Sequence, residues 1–421
     1  MYFTLTKSLS VDNLRGYTSY TEIIREHHMR IAMIGQKGIP TLYGGVERHV
    51  EELSLDLVKR NFEVIVYTRP YYTSKFKRWY QGVRLVSVPT IQTKHLDAIT
   101  HSLLATISAI KHKADVIHYH GVGPSLVSWI PRLLSPSTKV VATFHCVDRK
   151  HEKWGLGARI MLRLGEWTAT HFPHKTIAVS KTIKRYCSIR YSRKSLYIPN
   201  GVSATTKQAR VNSLRKKFDL SKNQYLLSVT RFVPHKDVHT LIKAYQLSDI
   251  KMPLVIVGGS SHTDNYVNKV KRLAGDNPKI IFTDFIPGNQ IEELFANAYA
   301  FIHPSRAEGL PIVLLEAMRS GCPVLASKIP EHRELIQPRR DLTIGFFFRT
   351  GDISGLAKKL NWLIRNPQLA KKRGQLARNY VNQSMRWRQI GSKTAELYWE
   401  FSRQQQVKNI SVKDYLAIAK A

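Results

Sequence analysis

Short runs of valine, isoleucine and leucine recur along this chain, separated by segments of helical periodicity, and that alternation admits few folds. From Arg30 the order is RIAMIG, a helix after Gly45 with Val46, Val50, Leu53 and Leu57 at helical spacing, then EVIVYT. The runs VRLVSVP, VIHYH, KVVATFH, TIAVS and SLYIPN follow, with helices predicted at 96–111 and 156–170. Runs this continuous suit parallel strands buried on both faces, and parallel neighbours need crossovers, which the helices supply. After Asn200-Gly201 a polar, basic stretch, SATTKQARVNSLRKKFDLSKN, interrupts the pattern. The alternation then restarts with YLLSVTR, a helix from about Lys236, PLVIVGG, KIIFTDF, AFIHPS and PVLAS.

The predicted fold class is therefore α/β, with two Rossmann-like, doubly wound domains facing a deep cleft at the carboxyl ends of their strands. The domains are read as 29–203 and 204–385. An extension without a readable role occupies 1–28, because Met29 directly precedes the first strand. Helices from about Ile353 to Ser402 close the chain, and those of 386–421 are expected to pack back on the first domain through Trp387, Ile390, Leu397, Tyr398 and Phe401.

Composition bounds the setting. The 421 residues carry a formal charge of +35, so an acidic counterpart is expected: nucleic acid, an anionic membrane or a phosphate-bearing substrate. Cys146, Cys187 and Cys322 form no C-x-x-C pair, which argues against a disulfide framework or a thiolate zinc site. No window holds 18 uninterrupted apolar residues, and the first 28 residues lack the apolar core of a signal peptide, so the expectation is a cytoplasmic protein, at most peripherally attached.

Chemistry is expected at the strand ends. GQKGIPTLYGGVE places Gly44 and Gly45 before a helix, where backbone amides approach an anion. It lacks G-x-G-x-x-G and a Walker lysine, which disfavours NAD and P-loop chemistry. Strands ending in His118-Tyr119-His120 and Phe144-His145 bring imidazoles to the same edge, and His145 is the chosen candidate. In the second half Arg231 ends a strand and Lys236 opens the next helix. The stretch HPSRAEGLPIVLLEAMRSGCPVLAS reads as strand end, loop, helix and strand, with Pro311 at the first helical position. Glu308 falls in the loop and Glu316 inside the helix. Both cations are expected opposite both glutamates. Cations and the helix start at Gly309-Leu310-Pro311 would stabilise a leaving diphosphate, and the carboxylates would orient sugar hydroxyls.

These residues resemble the retaining glycosyltransferases of the GT-B fold, family 4, also called glycosyl transferases group 1, over about residues 29–404. EGLPIVLLE is similar to the family's E-x7-E motif and VTRFVPHKDVHTLIKAY to its arginine and lysine region. GIPTLYGGVERHVEEL resembles its glycine loop and IPNGV its interdomain junction. GIPTLYGG and HCVDRKHEKWG further resemble a bacterial subgroup with rhamnosyltransferase-like enzymes of surface polysaccharide assembly.

The resemblance implies an acceptor-binding first domain and a second domain for a nucleotide-sugar donor. It implies that Arg231 and Lys236 bind the diphosphate, that Glu308 faces the donor sugar and that Glu316 contacts the ribose. Gly258-Gly259 would lie near the nucleotide base, Gly44 and Gly45 near phosphate or acceptor, and His145 beside the reacting sugar. Front-face attack assisted by the leaving phosphate would need no protein nucleophile. The absence of a D-x-D motif agrees with metal-independent catalysis and no cofactor.

Basic residues crowd 181–194, 207–217 and 365–388, and IPRLLSPSTK adds an apolar edge. They are read as a peripheral patch meeting an anionic membrane and a lipid-linked or saccharide acceptor, against the alternative of solvated helix faces. A non-catalytic GT-B relative and a basic nucleic-acid-binding protein are the competing readings. Nucleic acid is disfavoured because no standard recognition motif occurs.

Overall fold

The computed structural model describes residues 29–93, 96–150, 155–203, 217–260, 263–286 and 288–409. The extension 1–28, most of the basic stretch 207–217, residues 151–154 of HCVDRKHEKWG and residues 410–421 lie outside the described residues. The described residues form an α/β fold of two largely parallel sheets.

The first half runs β1 (Arg30–Ile34), α1 (Gly45–Val58), β2 (Glu63–Thr68), β3 (Trp79–Tyr80), β4 (Val83–Ser87), α2 (Asp97–Lys111), β5 (Val116–His120), α3 (Ile130–Leu134), β6 (Lys139–Phe144), α4 (Leu156–His171), β7 (Lys175–Ala178), α5 (Lys181–Tyr191) and β8 (Leu196–Tyr197). Its sheet has the order β3-β4-β2-β1-β5-β6-β7-β8. Every pairing is parallel except β3 with β4, a two-residue edge hairpin absent from the sequence expectation.

The second half runs β9 (Leu226–Val229), α6 (Val238–Leu247), β10 (Leu254–Val257), α7 (Asp264–Ala274), β11 (Ile280–Phe282), α8 (Gly288–Asn297), β12 (Ala300–His303), α9 (Ile312–Arg319), β13 (Val324–Ser327), α10 (Pro330–Ile336) and β14 (Phe346–Phe348). All its pairings are parallel, in the order β11-β10-β9-β12-β13-β14. The helical region after it is three helices: α11 (Ile353–Arg365), α12 (Pro367–Ser384) and α13 (Trp387–Asn409). Pro367 ends the first of these, since it cannot continue the backbone ladder.

Strand order locates the functional edge. In each sheet the chain builds outward from one strand and then returns to that strand's other side, so the order reverses between β1 and β5 and between β9 and β12. Loops leaving neighbouring strands there diverge to opposite faces and open a crevice. The chain passes between sheets twice at one place: Val202 pairs with Arg386, and Val202 N–H donates to Met385 O at 2.8 Å. Beyond that crossing α13 lies against α1, with Trp387, Ile390, Leu397, Tyr398 and Phe401 buried among Met33, Val50, Leu53 and Leu57. One hydrophobic cluster runs through the contact between halves, from Val122, Phe144 and Val179 to Leu310 and Leu314.

Candidate active site

The second sheet supplies a charged wall. After β9 the chain makes a single 3-10 turn, Pro234–Lys236, and α6 starts only at Val238. Lys236 therefore precedes the helix it was expected to open. The cause is Asp237, which is left-handed at φ 56°, with its carboxylate held by Arg306 Nε at 2.8 Å and Thr240 Oγ1 at 2.7 Å. That break turns Lys236 inward, where Nζ donates to Glu308 Oε1 at 2.5 Å. His303 Nε2, from the end of β12, lies 2.9 Å from the same oxygen. Burial pushes the Glu308 carboxyl up, but Lys236 and His303 prevail and hold it well below the usual carboxylate range. Glu308 is thus an ionised, weakly basic carboxylate.

Gly309 makes a close approach between halves, since a Cβ there would stand 1.6 Å from the carbonyl oxygen of His145. Only glycine lets the loop before α9 touch the end of β6. Pro311 caps the helix and does not open it, because its ψ of 112° is extended and Ile312 is the first helical residue. The first amides of α9 still point along the helix axis toward this crevice. Glu316, one turn in, has its carboxyl raised by burial, partly offset by Arg48 and Arg319. Its nearest cation is Arg48 of α1, with Nε 3.7 Å away. Arg231, Lys236, Glu308 and Glu316 line one cavity, but Lys236 pairs with Glu308 while the cation paired with Glu316 comes from α1 of the first half.

The first sheet supplies a wall of imidazoles. His49 from α1, His120 from β5 and His145 after β6 are all buried. His120 Nδ1 lies 3.3 Å from His145 Nε2, and His49 Nδ1 lies 2.9 Å from Asn200 Oδ1. Asn200 Nδ2 in turn donates to Leu310 O at 2.6 Å, linking α1 to the loop before α9. Burial lowers His49 to about 4 and pushes His120 and His145 well below the ordinary range, so the wall is uncharged at neutral pH. His118 points elsewhere, bonded to Tyr398 and Thr143.

Between the walls is a cavity of about 460 Å³ lined by Gly44, Gly45, His145, Arg231, Lys236, Gly258, Glu308, Gly309, Leu310, Pro311 and Glu316. Gly259 is not in the lining; it backs Phe285, whose ring is 3.0 Å from where its Cβ would be. Sequence reasoning missed Arg48, His49, Asn200, His303 and the Tyr43–Phe285 pair, whose rings stack across the cleft at 5.0 Å. Each lies within a few residues of a strand end or glycine loop already singled out, and that adjacency was the available signal. Among the described residues, two groups bring potential metal ligands within 4.8 Å of one another: His49, His120 and His145, and His303, Glu308 and His332. Both sets are already bonded, the first to Asn200 and internally, the second to Lys236.

Comparison with known proteins agrees with this geometry. The model of Glycosyltransferase Family 4 matches residues 43–206, and that of Glycosyl transferases group 1 matches 211–380. The GDP-mannose-dependent alpha-(1-6)-phosphatidylinositol monomannoside mannosyltransferase of Mycolicibacterium smegmatis is 24% identical over 85% of this chain and 95% of its own. Among solved structures, sucrose-phosphate synthase from Thermosynechococcus elongatus superposes with a TM-score of 0.75 at 20% identity, over 89% of this chain and all of that one. Anabaena HepE in complex with UDP and glucose gives 0.72 at 21% identity, over 89% of this chain and 100% of that one.

Proposed function

Since the chain belongs to the family-4 glycosyltransferases of GT-B fold, we propose that it moves a hexose or deoxyhexose from a nucleoside-diphosphate donor to a saccharide or lipid-linked acceptor, with retention of configuration, in bacterial surface polysaccharide or lipopolysaccharide assembly. The observation that carries the donor half is the Lys236–Glu308 pair, at 2.5 Å, in one cavity with Arg231, the start of α9 and Glu316.

As the glycosidic bond breaks, negative charge grows on the leaving diphosphate. Arg231, Lys236 and the first amides of α9 would meet it as fixed donors already aimed at the cavity. Glu316 would accept the ribose hydroxyls, Gly258 would admit the base past β10, and Glu308 would orient a hydroxyl of the sugar. A carboxylate held as low as Glu308 is a poor nucleophile. The neutral imidazole of His145 likewise has its Nε2 shared with His120. Both facts favour front-face transfer with the leaving phosphate as base, without metal or cofactor.

The test is a donor panel followed by NMR of the product. GDP-mannose comes first, because the mycobacterial relative is named for it, then UDP-glucose and dTDP-rhamnose. Release of nucleoside diphosphate that requires both donor and acceptor, with the donor's anomeric configuration kept, is expected. Inverted product would overturn the retaining mechanism, and release of nucleotide with no transfer would overturn the transferase.

A further inference from the structure

The outer helices of the first sheet are built inside out. α2, α3 and α4 cover one sheet face, where Ala105, Ala109, Ile130 and Ala169 meet Ile34, Ile65 and Ile117. Toward that face α2 turns His101, Ser102, Ala105, Thr106 and Ala109, while Leu103, Leu104 and Ile107 are exposed. α4 repeats this: Gly165, Glu166, Thr168 and Ala169 are buried, and Leu156, Ile160, Leu164 and Trp167 are exposed, Leu156 by 79% and Ile160 by 60%. Between them Leu133 and Leu134 of α3 stand 69% and 67% exposed beside the half-exposed Trp129. A helix facing water normally shows the reverse arrangement, and a contiguous apolar surface on one layer marks an interaction site.

The surface is also firmly held. Glu166 is fully buried and accepts from Arg149 Nε at 3.0 Å, Tyr186 Oη at 2.7 Å and Tyr191 Oη at 2.5 Å, which pins the C-terminal half of α4. The exposed stripe starts at the N-terminal end of the helix, at Leu156 and Ile160, and in sequence the helix comes after His145 and Cys146, which line the cavity.

Charge selects the occupant. Residues 116–197 contain fourteen Lys or Arg and three Asp or Glu, and one of those acids is the buried Glu166. Arg159 and Arg163 flank the apolar stripe of α4 and are exposed, as are Lys184, Arg185 and Arg190 on α5, which has no acidic residue. A second copy of the chain would bring the same positive face against this one. A bilayer rich in anionic lipid accepts both features, because apolar side chains enter the acyl boundary while cations meet the headgroups.

We propose that the face formed by α2, α3 and α4 seats on an anionic membrane, with α4 lying in the interface and the mouth of the cavity at its edge. This surface takes in the apolar edge IPRLLSPSTK and borders the basic 181–194 segment, both singled out in the sequence, and excludes the basic helices of 365–388; it goes beyond the transfer reaction, since docking requires neither donor nor acceptor.

The test uses the full chain and sedimentation with vesicles of phosphatidylcholine alone or in equimolar mixture with phosphatidylglycerol. Binding is expected to the mixed vesicles only and to weaken with added salt. An Ile160→Glu/Leu164→Glu double variant, whose positions are already solvated, is expected to melt as the wild type does and bind at least about tenfold more weakly. Trp167 emission is expected to shift to the blue on mixed vesicles, an assignment checked by Trp167→Phe. No binding by the wild type, or undiminished binding by a folded double variant, would overturn the proposal. So would a wild-type dimer that the double variant dissociates, since the face would then belong to a second copy. Donor binding, read as a thermal shift with the nucleotide sugars of the donor panel, separates the two ideas: it is absent if the transferase reading is wrong and is unaffected by loss of docking.

Discussion

The wall of the cleft contributed by the first sheet holds His49, His120 and His145 as neutral imidazoles, whereas that of the second holds Lys236 and Glu308 as an ion pair. Both bury polar groups, and burial of an ionisable group must be answered by a partner or by loss of charge. On the first wall each ring can give up its proton, and hydrogen bonds among His120, His145, His49 and Asn200 suffice. On the second, Glu308 keeps its charge because Lys236 is 2.5 Å away. The difference assigns the work: the second wall carries the Lys236–Glu308 charge that meets a diphosphate, the imidazoles opposite add none, and the first half's charges in the cavity lining are Arg48 and Glu51.

The charged wall is expected to break most severely. Lys236→Ala leaves Glu308 buried with His303 alone, and removing one member of a buried pair costs about 3–5 kcal/mol. Loss of a charge-stabilising donor adds a fall of roughly 10²–10³ in kcat. Lys236→Ala/Glu308→Gln should recover much of the stability in urea titrations and none of the turnover. If Lys236→Ala is as stable as wild type, the pair is not the structural unit described here.

The seam between the walls comes next. Gly309→Ala puts a methyl 1.6 Å from the oxygen of His145, and backbone on both sides must move. A displacement on the order of 1 Å at reacting groups can cost about 10²-fold in rate. The expected signature is a large loss of kcat/KM with a cooperative melt retained. Normal kinetics would mean that the two halves need not touch there during turnover.

Acid separates the walls by pH. The folded-state pKa of His49 is lowered from 6.5 to about 4, so its stabilising contribution is full above pH 6.5 and drains away as pH falls toward 4, because the unfolded chain takes up the proton first. A shift of this size corresponds to about 3 kcal/mol. The carboxyl of Glu308 is also lowered, but from 4.5, so its contribution is lost only below about pH 4.5. Urea unfolding across this range should show a decline between pH 6.5 and 4 that His49→Gln makes shallower, the other buried histidines, His120 and His145 among them, supplying the rest. A steeper further decline below pH 4.5 should be removed by Glu308→Gln.

The alternation of apolar runs made the two sheets legible, and the ends of those runs located the cavity, because parallel topology fixes where loops converge. His145, Lys236 and Glu308 were readable on that ground. Asn200 and His49 were not, for their bond joins residues 151 apart in sequence and nothing local marks it. The late start of α6 was hidden for a similar reason, since Asp237 is held left-handed by Arg306, a residue distant in sequence. The inverted helices α2 and α4 show the limit of periodicity: it finds an apolar stripe but does not say whether the sheet or the outside receives it.

The smallest expected effect tests the Arg48–Glu316 contact, which joins the walls by charge. Arg48 and Glu316 are part-exposed, at 29% and 21%, and 3.7 Å apart, so the pair contributes about 0–1 kcal/mol to stability. Its influence should appear in donor binding. Burial raises the Glu316 carboxyl and Arg48 lowers it, so Arg48→Ala lets the carboxyl protonate at a higher pH. A protonated Glu316 is a weaker acceptor for ribose hydroxyls. Above neutral pH, by contrast, the variant frees a carboxylate that the donor would otherwise take from Arg48. Donor KM for Arg48→Ala should therefore rise up to about threefold on the acidic side and fall on the alkaline side, with kcat unchanged. A KM displaced equally at all pH values would mean that Arg48 touches the donor itself, as a further cation of the donor site beside Arg231 and Lys236.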